Sequence, residues 1–180
     1  QAAPAQAEAP APSAAVEEAE PLAAMTRLEG VDCKRSGGDI EHCTVEGFDI
    51  SGSDRACAQD DTSFAAVTDI GGVALLDRFP SGGDHASARI PKGQFVCVHY
   101  VADATDGSEG WAYVTAIPPA LVAACAGKAT CGDGRFSPQW VGTPPTGACA
   151  VGPEGRYTTG CPAGWVMRSQ LEEYSMGLGG

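Results

Sequence analysis

A mainly β fold, carrying a disulfide-stapled insertion and an extended N-terminal arm, is what this chain of 180 residues predicts. Three observations lead there. Residues 94–116 hold two β-branched and aromatic runs around an Asp-Gly turn signal, eight cysteines are spread along the chain, and the first 24 residues contain 11 Ala, 4 Pro, 4 Glu and no basic side chain. The first pattern is that of a β-hairpin. The second is that of covalent cross-linking. The third belongs to a segment that cannot bury enough apolar surface to offset chain entropy.

Taken in order, residues 1–25 form an Ala/Pro-rich acidic arm. Pro4, Pro10, Pro12 and Pro21 prevent one continuous helix, although Ser13 could cap a short turn over 14–20. Val16 and Leu22 are the candidate partner contacts of this arm. An arm of this composition takes a fixed path only when a partner surface holds it. Residues 26–63 form a Cys-rich extension with 9 acidic and 4 basic side chains. Its apolar content is low, so disulfides are expected to hold it against the next region.

Strands begin at Phe64. The stretch 94–101 (QFVCVHYV) and the stretch 111–116 (WAYVTA) flank a turn at Asp106 and Gly107, which predicts a hairpin. Alternation places Trp111, Tyr113 and Thr115 on one face and Ala112, Val114 and Ala116 on the other. Residues 118–160 interrupt this pattern with 8 Gly, 6 Pro and 3 Cys. Pro119 is suited to the first turn of a short helix over 120–126, and the remainder reads as a stapled loop. The strand-rich unit as a whole spans 64–176, followed by a Gly-rich tail at 177–180.

Charge narrows the partners. Eleven Lys+Arg against 23 Asp+Glu leave a net charge of −12, the reverse of what displacing counterions from a phosphate backbone requires, so nucleic acid is not an expected partner. No apolar stretch approaches the roughly 20 residues of a membrane-spanning helix, so no transmembrane segment of its own is expected.

The cysteines are Cys33, Cys43, Cys57, Cys97, Cys125, Cys131, Cys149 and Cys161. None of the close pairs typical of zinc sites occurs, so neither metal nor any other cofactor is assigned. Local loops close at least entropy cost, which suggests Cys33–Cys43, Cys57–Cys97, Cys125–Cys131 and Cys149–Cys161 among the many alternatives. Disulfides, together with a chain opening on Gln1 rather than Met, lead to the expectation of a periplasmic or extracellular protein whose signal peptide has been removed.

Four stretches in order carry a resemblance. These are VALLDRFPS at 73–81, with Arg78, Pro80 and Ser81; IPKG at 90–93, with Lys92 and Gly93; GWAYV at 110–114; and GWVMRSQL at 164–171. Together they resemble the opening strand, the Lys-Gly turn, the Gly-Trp strand and the closing strand with its one-turn helix of the bacterial SH3 (SH3b) family, over residues 65–174. The resemblance implies a small SH3-like β-barrel, interrupted by the insertion at 118–160, that serves as a non-catalytic binding module for cell-wall peptides or protein partners. At its motif positions Trp111 and Trp165 are expected in the barrel core.

Candidate chemistry is sparse. His99 follows Cys97 at the spacing that shares a strand face, but an oxidised Cys97 offers no thiolate. Asp103, Asp106 and Glu109 crowd one turn, yet at every third position they do not match a calcium loop, which takes alternate ones. Trp140, beside Phe136 and Arg135 in the insertion, is either a partner contact or the filling of a small local core. The expectation is therefore a non-catalytic extracytoplasmic binding or scaffold protein. As an accessory subunit of a larger bacterial envelope or membrane complex, it would be held by its N-terminal arm and would meet protein subunits through Trp140, Phe136, Arg135, Val16 and Leu22. The alternatives are a cell-wall (peptidoglycan) binding module and an inhibitor of a secreted enzyme using the stapled loop.

Overall fold

The computed structural model describes residues 32–36, 40–45, 47–60, 62–79 and 85–178. The arm with Val16 and Leu22, the opening of the Cys-rich extension, the Pro80 and Ser81 turn and the last two glycines lie outside the described residues. The strands are β1 (Asp32–Ser36), β2 (Ile40–Val45), β3 (Phe48–Gly52), β4 (Phe64–Val67), β5 (Val73–Leu76), β6 (Ala86–Ile90), β7 (Phe95–Ala104), β8 (Trp111–Ala116), β9 (Gln139–Trp140), β10 (Ala163–Met167) and β11 (Leu171–Glu173). A single helical turn, α1 (Ala56–Gln59), follows β3. The fold is mainly β: all eleven strands join one antiparallel sheet in the order β1-β2-β3-β7-β8-β10-β5-β6-β9, with β4 pairing both β7 and β11. Among the described residues no helix is long and apolar enough to cross a membrane.

β7 organises this sheet because it is long and its first six residues are all buried. Its start pairs with β4, Phe64 facing Cys97 and Ala66 facing Phe95. Its second half pairs with β3, from Gly52 opposite Tyr100 to Phe48 opposite Ala104. Along its other edge runs β8, joined through the turn at Asp106 and Gly107 in the hairpin that the alternating pattern predicts. The Cys-rich extension is therefore held by a backbone ladder as well as by sulfur, which the low apolar content of its sequence does not reveal.

Three buried clusters divide the packing. Val67, Leu75, Ile90, Val96, Val114 and Val166 lead the first, on the face that carries Ala112 and Ala116. Phe64, Phe95 and Ile117 form the second with Cys125, Cys131 and Cys161, and it seats the insertion. Cys43, Ile50, Phe79, Tyr100 and Trp165 form the third, which seats the extension. Trp165 is wholly buried, and Trp111 packs half-buried against the same cluster. Each large aliphatic removed from water contributes about 1.5–3 kcal/mol.

The disulfides are Cys33–Cys43, Cys57–Cys97, Cys125–Cys131 and Cys149–Cys161, the pairs that local closure suggests, and no described cysteine is free. Two expectations about the insertion change. In place of one helix over 120–126 there are two 3-10 turns, Pro119–Leu121 and Ala123–Cys125, separated by an extended Val122. Seven residues without a side-chain cap cannot offset helix nucleation. Nor is the rest wholly irregular, because β9 extends the sheet, with Trp140 opposite Ala88.

Candidate functional site

The most elaborated site forms where extension, sheet and insertion meet around His99. It begins at a break in register: Val98 pairs with Val114 and Tyr100 with Tyr113, so His99 stands as a bulge with no partner on β8. β3 ends against that bulge. The Ser53 N–H donates to the His99 carbonyl at 2.8 Å. Gly52, at φ +151°, makes the approach feasible, because a Cβ there would lie 2.0 Å from the same oxygen. The chain then turns through Asp54 and Arg55 into α1, which delivers Cys57 to Cys97.

The His99 ring is buried. Its Nε2 lies 2.9 Å from Thr115 Oγ1, and its Nδ1 lies 3.9 Å from the sulfur of Cys97. Burial pushes its pKa down to about 4, outweighing the carbonyls of Ser53 and Asp54 and the Asp54 carboxylate, which favour the protonated ring. His99 is therefore neutral at pH 7. The unfolded chain binds this proton near pH 6.5 and the folded one only near 4, so the stability present above pH 6.5 is lost as pH falls towards 4. The loss amounts to about 3 kcal/mol. Denaturant midpoints of the wild type and His99→Gln at pH 7.5 and 4.5 check this. Carboxylate protonation affects both proteins alike, and the wild type should lose more stability than the variant. Equal losses would show that the ring takes up its proton in the fold as readily as in the unfolded chain.

The insertion closes the site from the other side. Cys149–Cys161 and a bridge between Val151 and Tyr157 hold a narrow loop, inside which Thr158 Oγ1 donates to the Ala148 carbonyl and accepts the Ala150 N–H. Gly155, at φ +80°, passes so close to α1 that a Cβ would lie 2.4 Å from that of Ala58. The loop thereby brings Arg156 Nε to 2.6 Å from Asp54 Oδ2, while Arg55 Nε donates to the Glu154 carbonyl at 3.0 Å. Tyr157 stands edge-on to His99 at a centroid distance of 6.2 Å, and Tyr113 lies 6.3 Å away on another side.

His99 thus forms part of the wall between two cavities. One, of about 460 Å³, lies beside β2 and α1 and is lined by Ile40, Phe64, Val98 and Val101. The other, of about 250 Å³, lies beneath the stapled loop and is lined by Tyr113, Tyr157, Thr115, Asp54, Arg156 and Thr159. The Cys97 and His99 juxtaposition expected along one strand is present, but with Cys97 in a disulfide it is no thiol–imidazole couple.

Other sequence candidates lie elsewhere. Phe136 and Trp140 are half-buried against the first cluster, whereas Arg135 is exposed and pairs with Asp133. Asp103 accepts from Arg168 at 2.9 Å and Asp106 from the Ser108 N–H at 2.9 Å; the Ser108 side chain first, and its N–H second, hold the Asp106 carboxyl below its ordinary range. Among the described residues no three His, Cys, Asp or Glu side chains cluster as metal ligands. No motif in the sequence marks Asp54, Arg156 or Tyr157 as site residues, and the only local signal is the density of Gly, Pro and Cys around Arg156 and Tyr157. No family model matches this chain, and no curated protein or solved structure matches it either.

Proposed function

We propose that this is a non-catalytic extracytoplasmic binding protein, an SH3-like barrel that acts as an accessory subunit of a larger bacterial envelope or membrane complex. One observation carries the reading: two stapled additions, distant in sequence, meet on β7, the extension through Cys57–Cys97 and the loop through Tyr157 against His99, and join each other through Asp54–Arg156 and Arg55–Glu154. A composite surface held this way has little freedom left to lose on association, so it binds a folded partner at reduced entropic cost. The barrel part of the reading is supported by the succession β11-β4-β7-β8-β10 and by the single 3-10 turn, Arg168–Gln170, between β10 and β11. Four disulfides are compatible with a periplasmic or extracellular location.

In this reading the acidic arm runs along the partner and the clamped surface docks against it. Affinity purification of tagged protein from gently solubilised envelopes, with mass spectrometry of stoichiometric companions, tests it. The full chain should recover a constant set of envelope proteins. A form lacking residues 1–24 should recover several-fold less while keeping the same denaturation midpoint. Recovery of the protein alone, or unchanged recovery by the truncated form, would overturn the subunit reading.

A further inference from the structure

We propose that the smaller cavity under the stapled loop binds one ring of a neutral carbohydrate. This goes beyond the scaffold reading and stands independently of it, since it concerns a cavity rather than an outer surface. Size is the first argument: about 250 Å³ holds a single six-membered ring with its substituents and little more. Shape is the second. Tyr113 and Tyr157, both half-buried, line the space with His99 between them, and aromatic side chains of this kind offer an apolar body with a polar tip.

Charge then narrows the ligand. Asp54 and Arg156 neutralise each other at 2.6 Å, Glu154 lies 3.4 Å from the same guanidinium, and His99 is uncharged. An anion entering the cavity would meet two carboxylates flanking the one guanidinium among its described lining residues, and a cation could pair with Asp54 only by displacing that guanidinium. A wholly apolar ligand would cover the Asp54 carboxylate, already only 14% exposed, without replacing its water. A neutral ring with C–H groups on its faces and hydroxyls around its edge meets each of these demands.

Its faces lie against the tyrosines. Its hydroxyls reach the Asp54 carboxylate and the Thr159 hydroxyl. The Tyr157 hydroxyl completes the set, since burial pushes its pKa up to about 12 and keeps it a donor at any physiological pH.

Saturation-transfer NMR on the full, oxidised protein tests this with the methyl glycosides of glucose, galactose, mannose and N-acetylglucosamine, and with phenol as an apolar ring of similar size. Transfer to the ring C–H protons of at least one glycoside is expected, with a dissociation constant in the millimolar range usual for one sugar ring. Tyr157→Ala should weaken it at least tenfold. Tyr157→Phe, which keeps the packing if the alanine variant does not fold, should weaken it several-fold. Comparing the preferred sugar with its linked tetramer separates the sources: tighter binding of the tetramer indicates a glycan chain, and equal binding a free or terminal sugar. The proposal is overturned by absence of transfer from all four glycosides, by binding of phenol alone, or by transfer that neither Tyr157 variant reduces.

Discussion

Replacing Cys57 and Cys97 together by alanine is expected to destabilise the oxidised protein by about 4 kcal/mol. The bond spans a sequence separation of 40, and loop-closure entropy grows with the logarithm of that length. Cys125–Cys131 closes a separation of only 6, so the corresponding double substitution should cost about 2 kcal/mol. Guanidinium midpoints of the two variants, with the remaining three disulfides verified by mass, measure the difference. The larger loss should come with faster proteolysis between Ser53 and Ser63, because Cys57–Cys97 ties α1 to β7 just below His99. A Cys57 and Cys97 variant no less stable than the Cys125 and Cys131 variant would mean that the β3–β7 ladder alone holds the extension.

Trp165→Ala should cost about 3–5 kcal/mol, by lost transfer energy and the cavity left behind. The side chain is fully buried, meets Phe79 edge-on at 4.8 Å and Tyr113 at 5.3 Å, and its Nε1 has no hydrogen-bond partner among the described residues. Its contribution is therefore packing. Since Tyr113 also lines the smaller cavity, the substitution should loosen that site as well as the core. Urea denaturation gives the stability change, and Trp140→Ala gives the contrast: half-buried at the end of β6–β9, Trp140 should cost about half as much. Equal losses would contradict the burial difference between the two indoles.

Much of this architecture is legible residue by residue. The hairpin of β7 and β8 follows from β-branched runs around Asp106 and Gly107, and the alternation in β8 already separates Tyr113 and Thr115 from Val114 and Ala116. Each disulfide joins cysteines adjacent in chain order, which is why loop closure alone suggests the four pairs. The short helix expected after Pro119 divides into two 3-10 turns because helix initiation in so short a segment depends on surroundings that periodicity does not contain. Trp140 shows the same limit, since it pairs with Ala88 of β6, 52 residues back in the chain, and packs there against the first cluster.

Local chemistry was enough to define a mainly β, cross-linked, strongly acidic chain, because strand preference, loop closure and net charge each depend on residue types at short range. The site depends on something else. Asp54 and Arg156 are 102 residues apart and Arg55 and Glu154 are 99 apart, and neither pair has a spacing or motif that announces it. Their meeting requires Gly52 to let β3 reach the His99 bulge and Gly155 to let the stapled loop pass α1, two close approaches that exist only once the sheet has formed. Contacts of that range are settled by packing geometry, which selects among many distant pairings that are all compatible with the same local preferences.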